Sequence, residues 1–516
     1  MQTYKPKITD AIKLNISPVF EKIDYKKDTI NYKTDPKPLH IDLKSTAKIG
    51  TVSLIKPKAK AAGDELQRLF IKAGVGNYSN IFAQVDYNTI KMDNSSFAVH
   101  LQHQSGNAAP DNSNFGEQNV YVAGRKYFKN TLLSGKIFLN NDKIHFYGYD
   151  TSIKELKNFT STQNKFLDVG LNAHLNNEID TSSKLKYWLD LKYANFSDAY
   201  KVTESGFYLG CTVEQKINNY PIRFNLSYLS NKYKINNVEN PKNYILHVGA
   251  NYLITKSNWR TEIGFLIDYD TAIHFYPNVY AQAKLYSNSL IVFAGITGNL
   301  ISNSFKSLEM ENPYIIESPQ IKNTNNSFEI YGGLKGNFSK DMNYVVKVTY
   351  QNLENMVMFV NNTKAINNDS ANLNRFTIIY SKPTFLLKLH AELNKFITDE
   401  LEVFLGFNYY KYTLDSVWHK PGYDLILSAK YKLEKKIYVN FDLLGMGERK
   451  TLNVLKPSEP YILKPIYDAN IGITYQFNKM FGIYFQFNNI LSTKYSYWYN
   501  YELRGFQVVG GLKVNL

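Results

Sequence analysis

Residues 471–477 read Ile-Gly-Ile-Thr-Tyr-Gln-Phe, and after a short gap residues 481–487 read Phe-Gly-Ile-Tyr-Phe-Gln-Phe. In both stretches every odd-numbered position is apolar or aromatic. Successive side chains of a β-strand point to opposite faces of the sheet, so each stretch has one apolar and one more polar face. The same alternation recurs from Leu66 to the end of the chain. It predicts an all-β protein.

Two kinds of all-β protein have this pattern. A soluble sandwich turns the apolar faces inward, whereas a membrane barrel turns them toward lipid and keeps a polar interior. The chain is 15% aromatic, yet its mean hydropathy is −0.35, and no apolar run reaches the ~18 residues that a transmembrane helix needs. A soluble chain of 516 residues would normally divide into domains, but here one pattern continues without a linker. The sequence favours a transmembrane antiparallel outer-membrane β-barrel over a soluble protein.

Short and long turns alternate along the chain, as periplasmic turns and extracellular loops do in such barrels. Short turns are predicted at 129–131, 218–221, 255–258, 434–436 and 478–480. Long connections are predicted at 106–115, 150–164, 236–242, 302–326, 361–374, 447–464 and 491–503. Tracing the strands from Leu66 to Leu516 gives about 22, an even number that places both chain ends on the periplasmic side.

Strand periodicity also assigns faces. On 185–193 and 401–409 the odd-numbered residues are apolar or tyrosine and would face lipid. A charge on the lipid face near the midplane costs roughly 2–4 kcal/mol, so the polar residues between them would face the lumen. Such side chains could select a solute by hydrogen bonding and charge. The candidate lumen-lining residues are Lys186, Asp190, Arg223, Asn225, Glu402, Asn408, Asp442 and Gln486.

Several turn and strand motifs resemble a known family. They are Ile-Lys-Pro-Lys-Ala at 55–59, Leu-Phe-Ile-Lys-Ala-Gly-Val-Gly-Asn-Tyr at 69–78, Gly-Arg-Lys-Tyr-Phe-Lys-Asn-Thr-Leu-Leu-Ser-Gly at 124–135 and His-Phe-Tyr-Gly-Tyr-Asp-Thr at 145–151. They resemble the TonB-dependent-receptor-like outer-membrane barrels of Bacteroidota. The resemblance implies a 22-stranded barrel, energised nutrient uptake and an N-terminal plug domain in a Gram-negative outer membrane.

The N-terminal segment, residues 1–65, departs from that family because it does not look like a packed plug. Residues 1–60 contain five prolines and thirteen lysines against six acidic residues, a net charge of +7. Such a composition predicts an extended, basic segment in the periplasm or the lumen. A strand-like run at 40–43 or 51–55 could pair with a partner's sheet edge. The transmembrane barrel would then comprise residues 66–516.

The two ends of the chain bear on targeting. The first residues lack the charged, apolar and small-residue regions of a signal peptide, so we expect that the leader has already been removed. The last strand alternates to its end and resembles the C-terminal signal for barrel insertion. Its candidate residues are Phe506, Val514 and Leu516, the last of these replacing the usual terminal Phe.

Motifs for chemistry are scarce. His100 and His103 are three apart, which on a strand places them on opposite faces and argues against a metal site. Barrel enzymes pair a serine with a histidine, but Ser289 and Ser428 have no local signature linking them to His247 or His390. We therefore predict no enzyme, cofactor or metal. The lysine excess is concentrated in the N-terminal segment without a nucleic-acid-binding motif.

Two main functions remain. One is a channel or transporter that passes a solute across the outer membrane. The other is a non-transporting barrel that serves as a subunit of a larger outer-membrane assembly, with its lumen closed. Expected partners are outer-membrane lipid and lipopolysaccharide, and periplasmic or outer-membrane proteins that bind the basic N-terminal segment. A 22-stranded barrel has a wide lumen, so both functions require something to fill or close it.

The face assignment predicts the reactivity of introduced cysteines. Cysteine at each of the eight candidate lumen positions should react with water-soluble thiol reagents, because those side chains face a wet wall. Labelling exclusively by lipid-soluble reagents would show that the two faces have been interchanged.

Overall fold

The computed structural model describes residues 68–89, 94–107, 113–148, 163–177, 183–217, 220–239, 242–286, 288–317, 320–361, 375–434, 436–452 and 459–516. The predicted N-terminal segment lies outside these residues, including the runs at 40–43 and 51–55. Within them, 22 antiparallel strands form one closed barrel, which confirms the predicted fold class and strand number. No helix among the described residues is long and apolar enough to cross a membrane.

The barrel strands share an antiparallel arrangement in which each pairs with its neighbours along the chain. They are β1 (Leu69–Gly76), β2 (Asn80–Asn88), β3 (Ser95–Gly106), β4 (Phe115–Tyr127), β5 (Leu132–His145), β6 (Gln163–Asn176), β7 (Leu185–Ser197), β8 (Val202–Ile217), β9 (Tyr220–Ile235), β10 (Asn243–Thr255), β11 (Trp259–Tyr269), β12 (Ile273–Tyr286), β13 (Leu290–Ile301), β14 (Thr324–Ser339), β15 (Met342–Glu354), β16 (Thr384–Phe396), β17 (Leu401–Tyr412), β18 (Tyr423–Leu433), β19 (Ile437–Met446), β20 (Ile466–Gln476), β21 (Phe481–Asn488) and β22 (Gln507–Asn515).

The barrel closes where β1 pairs with β22. Gly74 lies opposite Gly511 in this pairing, and the Tyr484 side chain from β21 lies over the two glycines. Beyond the strands, the backbone amide of Leu516 donates to the Leu69 carbonyl at 2.8 Å, and the Leu69 amide donates back to Leu516 at 2.9 Å. These bonds join the two ends of the described chain and leave no free sheet edge at the seam.

The two ends of the barrel differ in the length of their connections. At the lower end, which holds both ends of the described chain, the longest connection between strands is the eight residues between Asn176 and Leu185. At the upper end, the connection between Glu354 and Thr384 has 29 residues. The longest connections are therefore all at one end, as predicted, but the upper turns that follow β1, β7 and β11 are as short as those at the lower end.

Additional elements are confined to the upper connections. A seven-residue helix, α1 (Phe305–Glu311), lies between β13 and β14. Short strands form hairpins or extend a barrel strand: Val238–Glu239, Val357–Asn361 with Phe376–Tyr380, Arg449–Leu452 with Pro460–Leu463, and Ser496–Trp498 with Tyr501–Glu502.

The two faces of the barrel sheet alternate in polarity. On β17, Tyr409 is 41% exposed, whereas its neighbour Asn408 is 3% exposed. On β2, Ile81 and Tyr87 are exposed and Gln84 and Asp86 are buried. Partners in the strand pairing share a face, so this arrangement continues around the ring. The outer face is apolar and the lumen face polar.

Closure at the β1–β22 seam predicts the effect of enlarging a seam glycine. A Cβ atom on Gly511 would lie 2.0 Å from the Ala73 carbonyl oxygen and 2.6 Å from the Gly74 Cα atom, so backbone would have to shift. We expect Gly511→Ala to lower the free energy of unfolding by about 1–3 kcal/mol. Thermal unfolding followed by circular dichroism in detergent measures this change.

Gly422→Ala is the matched control, because a Cβ atom there has no heavy atom within 4 Å. Equal melting temperatures for Gly511→Ala and wild type would contradict a tightly packed seam.

Candidate functional site: the lumen wall and the cap above it

Four of the predicted lumen residues lie close together on the lumen face of β7 to β9. Lys186 on β7 lies opposite Glu214 on β8. Glu214 in turn lies opposite Arg223 on β9, and the two side chains form an ion pair at 2.7 Å. Asn225 accepts a hydrogen bond from the Thr212 hydroxyl at 3.0 Å. The wall at this point is a lateral network of paired polar groups.

Asp190, the fourth member of this group, forms a hydrogen bond at 2.8 Å to the Nδ1 atom of His174 on β6. The side chains of Asp190 and His174 are 39% and 36% exposed, so water reaches this stretch of wall.

The other four predicted residues lie elsewhere on the ring, on β17, β19 and β21. The Glu402 carboxylate accepts a hydrogen bond from the Asn394 amide at 3.2 Å, and the Asn408 amide donates one to Asp424 at 2.8 Å. Asp442 accepts a 2.6 Å hydrogen bond from the Ser428 hydroxyl, and Gln486 is buried on β21. The eight residues do not form a single site, and their role in passing a solute stays a prediction.

The histidines and serines considered for chemistry are not paired with one another. Ser428 donates to Asp442, His390 contacts Asn408 at 2.9 Å, and His247 contacts Asp268 at 2.5 Å. His100 is buried against Asp86. No group of three or more His, Cys, Asp or Glu side chains among the described residues is arranged to hold a metal.

The candidate insertion signal lies at the seam. Val514 pairs with Ile71 of β1 and with Phe481 of β21. Leu516 exchanges two backbone hydrogen bonds with Leu69. Phe506 directly precedes β22 and stacks on Phe487, with ring centroids 6.4 Å apart. Recognition of these residues by insertion machinery stays a prediction.

The upper connections pack together across the barrel mouth, and we call their described residues the cap. The cap comprises 146–148, 302–317, 320–323, 355–361, 375–383, 413–422, 447–452, 459–465 and 489–506. One continuous buried cluster joins the cap to the upper ends of β5–β8 and β19–β20. Its members are Ile144, Phe146, Phe166, Phe196, Val202, Phe305, Leu308, Ile315, Val357, Phe359, Phe376, Ile378, Met446, Ile466, Tyr495, Tyr497, Trp498 and Tyr501.

Three aromatic side chains show how the cap bridges the mouth. Tyr314 and Tyr501 stack with centroids 3.5 Å apart, and Tyr147 meets Tyr501 at 5.0 Å. These tyrosines come from the β13–β14, β21–β22 and β5–β6 connections, which leave the ring at three separate arcs. A contact among them can be made only above the lumen.

A second aromatic group packs beside the first. The Trp498 indole meets the Phe359 and Phe376 rings, with centroids 5.3 and 5.4 Å away. The buried His419 ring lies 5.0 Å from Trp498, and its Nδ1 atom is 2.8 Å from the Phe359 carbonyl oxygen. Burial lowers the pKa of His419 to about 3, so this histidine is neutral at physiological pH.

Two buried arginines fasten the cap segments to one another. Arg375 donates to the Ile315 carbonyl at 2.5 Å and forms an ion pair with Glu317 at 2.9 Å. Arg449 donates to the Tyr497 carbonyl at 2.8 Å and to the Lys464 carbonyl at 3.2 Å. Guanidinium groups suit this role because several donors can satisfy carbonyl oxygens of different loops at once.

Helix α1 is tied to the barrel wall at its start. Ser304 caps the helix by accepting from the Ser307 amide, and the Phe305 amide donates to the Glu204 carboxylate at 2.6 Å. Lys306 forms an ion pair with Asp168 at 2.6 Å. The helix therefore links the centre of the cap to β6 and β8.

Glu309, on the same helix, is the exception among these paired groups. It is 2% exposed, and neither carboxylate oxygen accepts a hydrogen bond within the described structure. Burial raises the pKa of Glu309 well above 4.5; Asp198, Glu204 and Glu317 add to the increase, and Arg375 opposes it. Burial likewise raises the pKa of Asp198, in the β7–β8 turn, to about 6. The closed cap thus favours protonated Glu309.

An inward loop at 302–326 was one of several expected ways to fill the lumen, but the cap as a whole has little local signature in the sequence. One local signal was present: residues 495–501 read Tyr-Ser-Tyr-Trp-Tyr-Asn-Tyr, which is unusually aromatic for a connection exposed to water. The buried arginines Arg375 and Arg449 have no such signal, because the carbonyl groups that they bind belong to other segments of the chain. The buried carboxyl group of Glu309 has no local signal either.

Comparisons with known proteins find likeness in structure alone. The chain matches no protein-family model and no curated protein sequence. The ferric-catecholate import receptor Fiu from E. coli K12 matches with a TM-score of 0.66 and 10% identity, over 87% of this chain and 82% of that one.

Two receptors from Pseudomonas aeruginosa match to a similar degree. The ferric enterobactin receptor PfeA matches with a TM-score of 0.63 and 11% identity, over 87% of this chain and 80% of that one. The pyoverdine outer-membrane receptor FpvA matches with the same TM-score and sequence identity, over 87% of this chain and 78% of that one. The chain therefore has the barrel fold of outer-membrane siderophore receptors.

The protonated state of Glu309 predicts that the closed cap becomes less stable as the pH rises. The closed cap retains a proton that the opened cap releases near pH 4.5. Closure is therefore most favourable below pH 4.5 and weakens as the pH rises through the raised pKa; Asp198 contributes with the same sign. We expect hydrogen exchange of cap amides to accelerate between pH 5 and 8, after correction for intrinsic rates.

Glu309→Gln should reduce that pH dependence, because the amide cannot ionise. Glu448→Gln, at an exposed position of the cap, is the matched control and should keep it. A pH dependence that is the same in all three proteins would contradict a role for Glu309.

Proposed function

We propose that this chain is an outer-membrane β-barrel of a Gram-negative bacterium that passes a solute across the membrane, with the cap as its extracellular gate. The long connections mark the extracellular end and the chain termini the periplasmic end. The barrel likeness to receptors for ferric catecholates, enterobactin and pyoverdine supports this proposal at the level of fold.

The observation that carries the proposal is the closed mouth above a polar wall. A 22-stranded ring encloses a lumen wide enough for solutes, and its lumen face displays hydrogen-bonding and charged groups. The Tyr147, Tyr314 and Tyr501 contacts bridge the mouth of that lumen. A channel built this way conducts only when the cap moves, so it is a gated barrel and not an open porin.

The composition of the cap fits a part that opens. Its core contains the buried groups Glu309, Arg375 and Arg449 besides aromatic residues. Burying charge offsets part of the free energy gained from apolar packing, so such a core is less stable than a wholly apolar one of the same size. Regions that open locally are drawn from the less stable parts of a protein.

For the periplasmic end, we propose that the basic N-terminal segment binds a protein partner. The net charge of +7 over residues 1–60 suits an acidic surface, and the runs at 40–43 and 51–55 have the composition to pair with a sheet edge. Energised opening of the gate through this contact, by TonB or a comparable protein, would follow from the resemblance and the barrel fold.

A second function shares the observation of the closed mouth. A cap that never opens would suit a non-transporting barrel held in a larger outer-membrane assembly. The two functions differ in one measurable property, which is whether loosening the cap opens a pathway for ions.

Trp498→Ala should therefore turn a silent barrel into a conducting one. The indole is buried against Phe359 and Phe376, and its removal costs about 3–5 kcal/mol of packing. We expect few channel openings from the full wild-type chain in a planar bilayer and frequent large openings from the variant. Single-channel recording makes the measurement.

Trp259→Ala is the matched control, because Trp259 is an exposed residue at the periplasmic end of β11. Silence of the Trp498→Ala variant, despite faster hydrogen exchange in its cap, would overturn the gate and favour the assembly subunit. Large openings from the wild-type chain would show that the cap does not close the barrel.

A further inference from the structure

One row of the lumen wall carries two lysines that flank an asparagine. Lys136 on β5 lies opposite Asn172 on β6, and Asn172 lies opposite Lys192 on β7. Neighbouring strands are about 4.8 Å apart, so the backbones of the two lysines are separated by about 10 Å. Two extended lysine side chains can reach a common group across that distance.

Both lysines are oriented by aromatic rings. The Lys136 Nζ atom lies 4.1 Å from the centre of the Tyr121 ring, and the Lys192 Nζ atom lies 5.2 Å from that of Tyr208. Contact with an aromatic face holds an ammonium group in place without neutralising its charge. Tyr121 belongs to β4 and Tyr208 to β8, so the rings hold the ammonium groups at the outer sides of the row, and an anion at Asn172 would draw both side chains inward. Both ammonium groups keep N–H donors for such a ligand.

Neither lysine is neutralised by a carboxylate. Two other cations of the wall are paired with carboxylates, Arg223 with Glu214 and Lys347 with Glu329. In the part of the chain that the structure describes, no carboxylate forms an ion pair with Lys136 or Lys192, and no protein group makes a hydrogen bond with the Asn172 amide. This row therefore has two unmatched positive charges and an unused amide.

Water reaches this row, which distinguishes it from the buried lysines Lys72 and Lys347 of the wall. Lys192 is exposed and Lys136 is partly exposed, and the adjoining Asp190 and His174 are accessible. Lys72 and Lys347 also lie over aromatic rings, but they are buried. A soluble anion could approach the first pair and not the others.

We propose that Lys136, Asn172 and Lys192 form a binding subsite on the lumen wall for an oxyanion of the transported solute, such as a phosphate, sulfate or carboxylate. The two ammonium groups neutralise the charge of the anion, and the Asn172 amide donates a further hydrogen bond. The inference deepens the proposed function and rests on it, because it names the chemical class of the solute that the barrel passes.

Binding of a fluorescent polyanion to the full chain in detergent tests the subsite. The probe is 8-hydroxypyrene-1,3,6-trisulfonate, and its fluorescence anisotropy reports binding. We expect Lys136→Met with Lys192→Met to weaken binding about tenfold or more, because charge-assisted hydrogen bonds are lost. Lys136→Arg with Lys192→Arg should retain most of the affinity, because both charges remain.

Lys256→Met is the matched control, because Lys256 also stands over a tyrosine, Tyr220, but lies outside this row. This variant should bind the probe like the wild type. Unchanged circular dichroism and melting temperature in every variant would show that the fold is preserved. Competition by inorganic phosphate, sulfate and acetate identifies which oxyanion the subsite prefers.

Failure of the subsite and failure of the proposed function give different results. The subsite is overturned if the wild type does not bind the probe, or if the double Met variant binds it as well as the wild type does. If the double Met variant loses binding while the cap variant stays silent in the bilayer, the subsite stands and transport is wrong. If the cap variant conducts without selective binding, transport stands and the oxyanion preference is wrong.

Discussion

Every part of this structure depends on the hydrogen bonds that close the sheet between β1 and β22. In hydrocarbon a backbone amide or carbonyl without a partner costs several kcal/mol, so a spanning sheet must leave no edge. Pairing of Phe70–Gly76 with 509–515 supplies the last partners, and Gly74 and Gly511 allow the backbones to approach beneath Tyr484. Closure fixes where each upper connection leaves the ring. The positions from which the cap is assembled follow from the seam.

Closure also determines where apolar and polar groups lie. Lipid covers the outer face, so the lumen face can keep polar groups such as the Arg223–Glu214 pair. The main buried apolar cluster is instead at the mouth, where loops and strand ends meet away from lipid. The wall can thus remain wet while the cap supplies the packed core. The separation of the two roles is what makes a gate physically reasonable, because the cap can rearrange while the ring stays paired.

The sequence predicts the barrel well because alternation and turn chemistry are local. Tyr409 and Asn408 are adjacent in sequence, and their opposite faces follow from the period of two. The cap could not be predicted in the same way. The Tyr147 hydroxyl donates a hydrogen bond to the carbonyl of Glu502, which is 355 residues away in sequence, and no local pattern indicates such a contact.

Part of the candidate site lies between these two cases. The lumen face of Lys186 and Asp190 follows from alternation, but the partners of these residues depend on the pairing of neighbouring strands. Lys136 and Lys192 are 56 residues apart in sequence and become neighbours of Asn172 only through the register of β5, β6 and β7. The sequence therefore indicates which residues can face a solute, and the structure shows which of them can act together.

The three tyrosines of the cap also imply an order of assembly. Tyr147, Tyr314 and Tyr501 come from the first, middle and last thirds of the chain, and the last of them lies in the connection between β21 and β22. Contacts between residues so distant in sequence carry a large loop-closure entropy unless the intervening strands have already paired. Loop-closure entropy therefore favours formation of the cap after the strands have paired. A chain cut short before Tyr501 would leave its mouth open, so a closed mouth marks a barrel that has been completed.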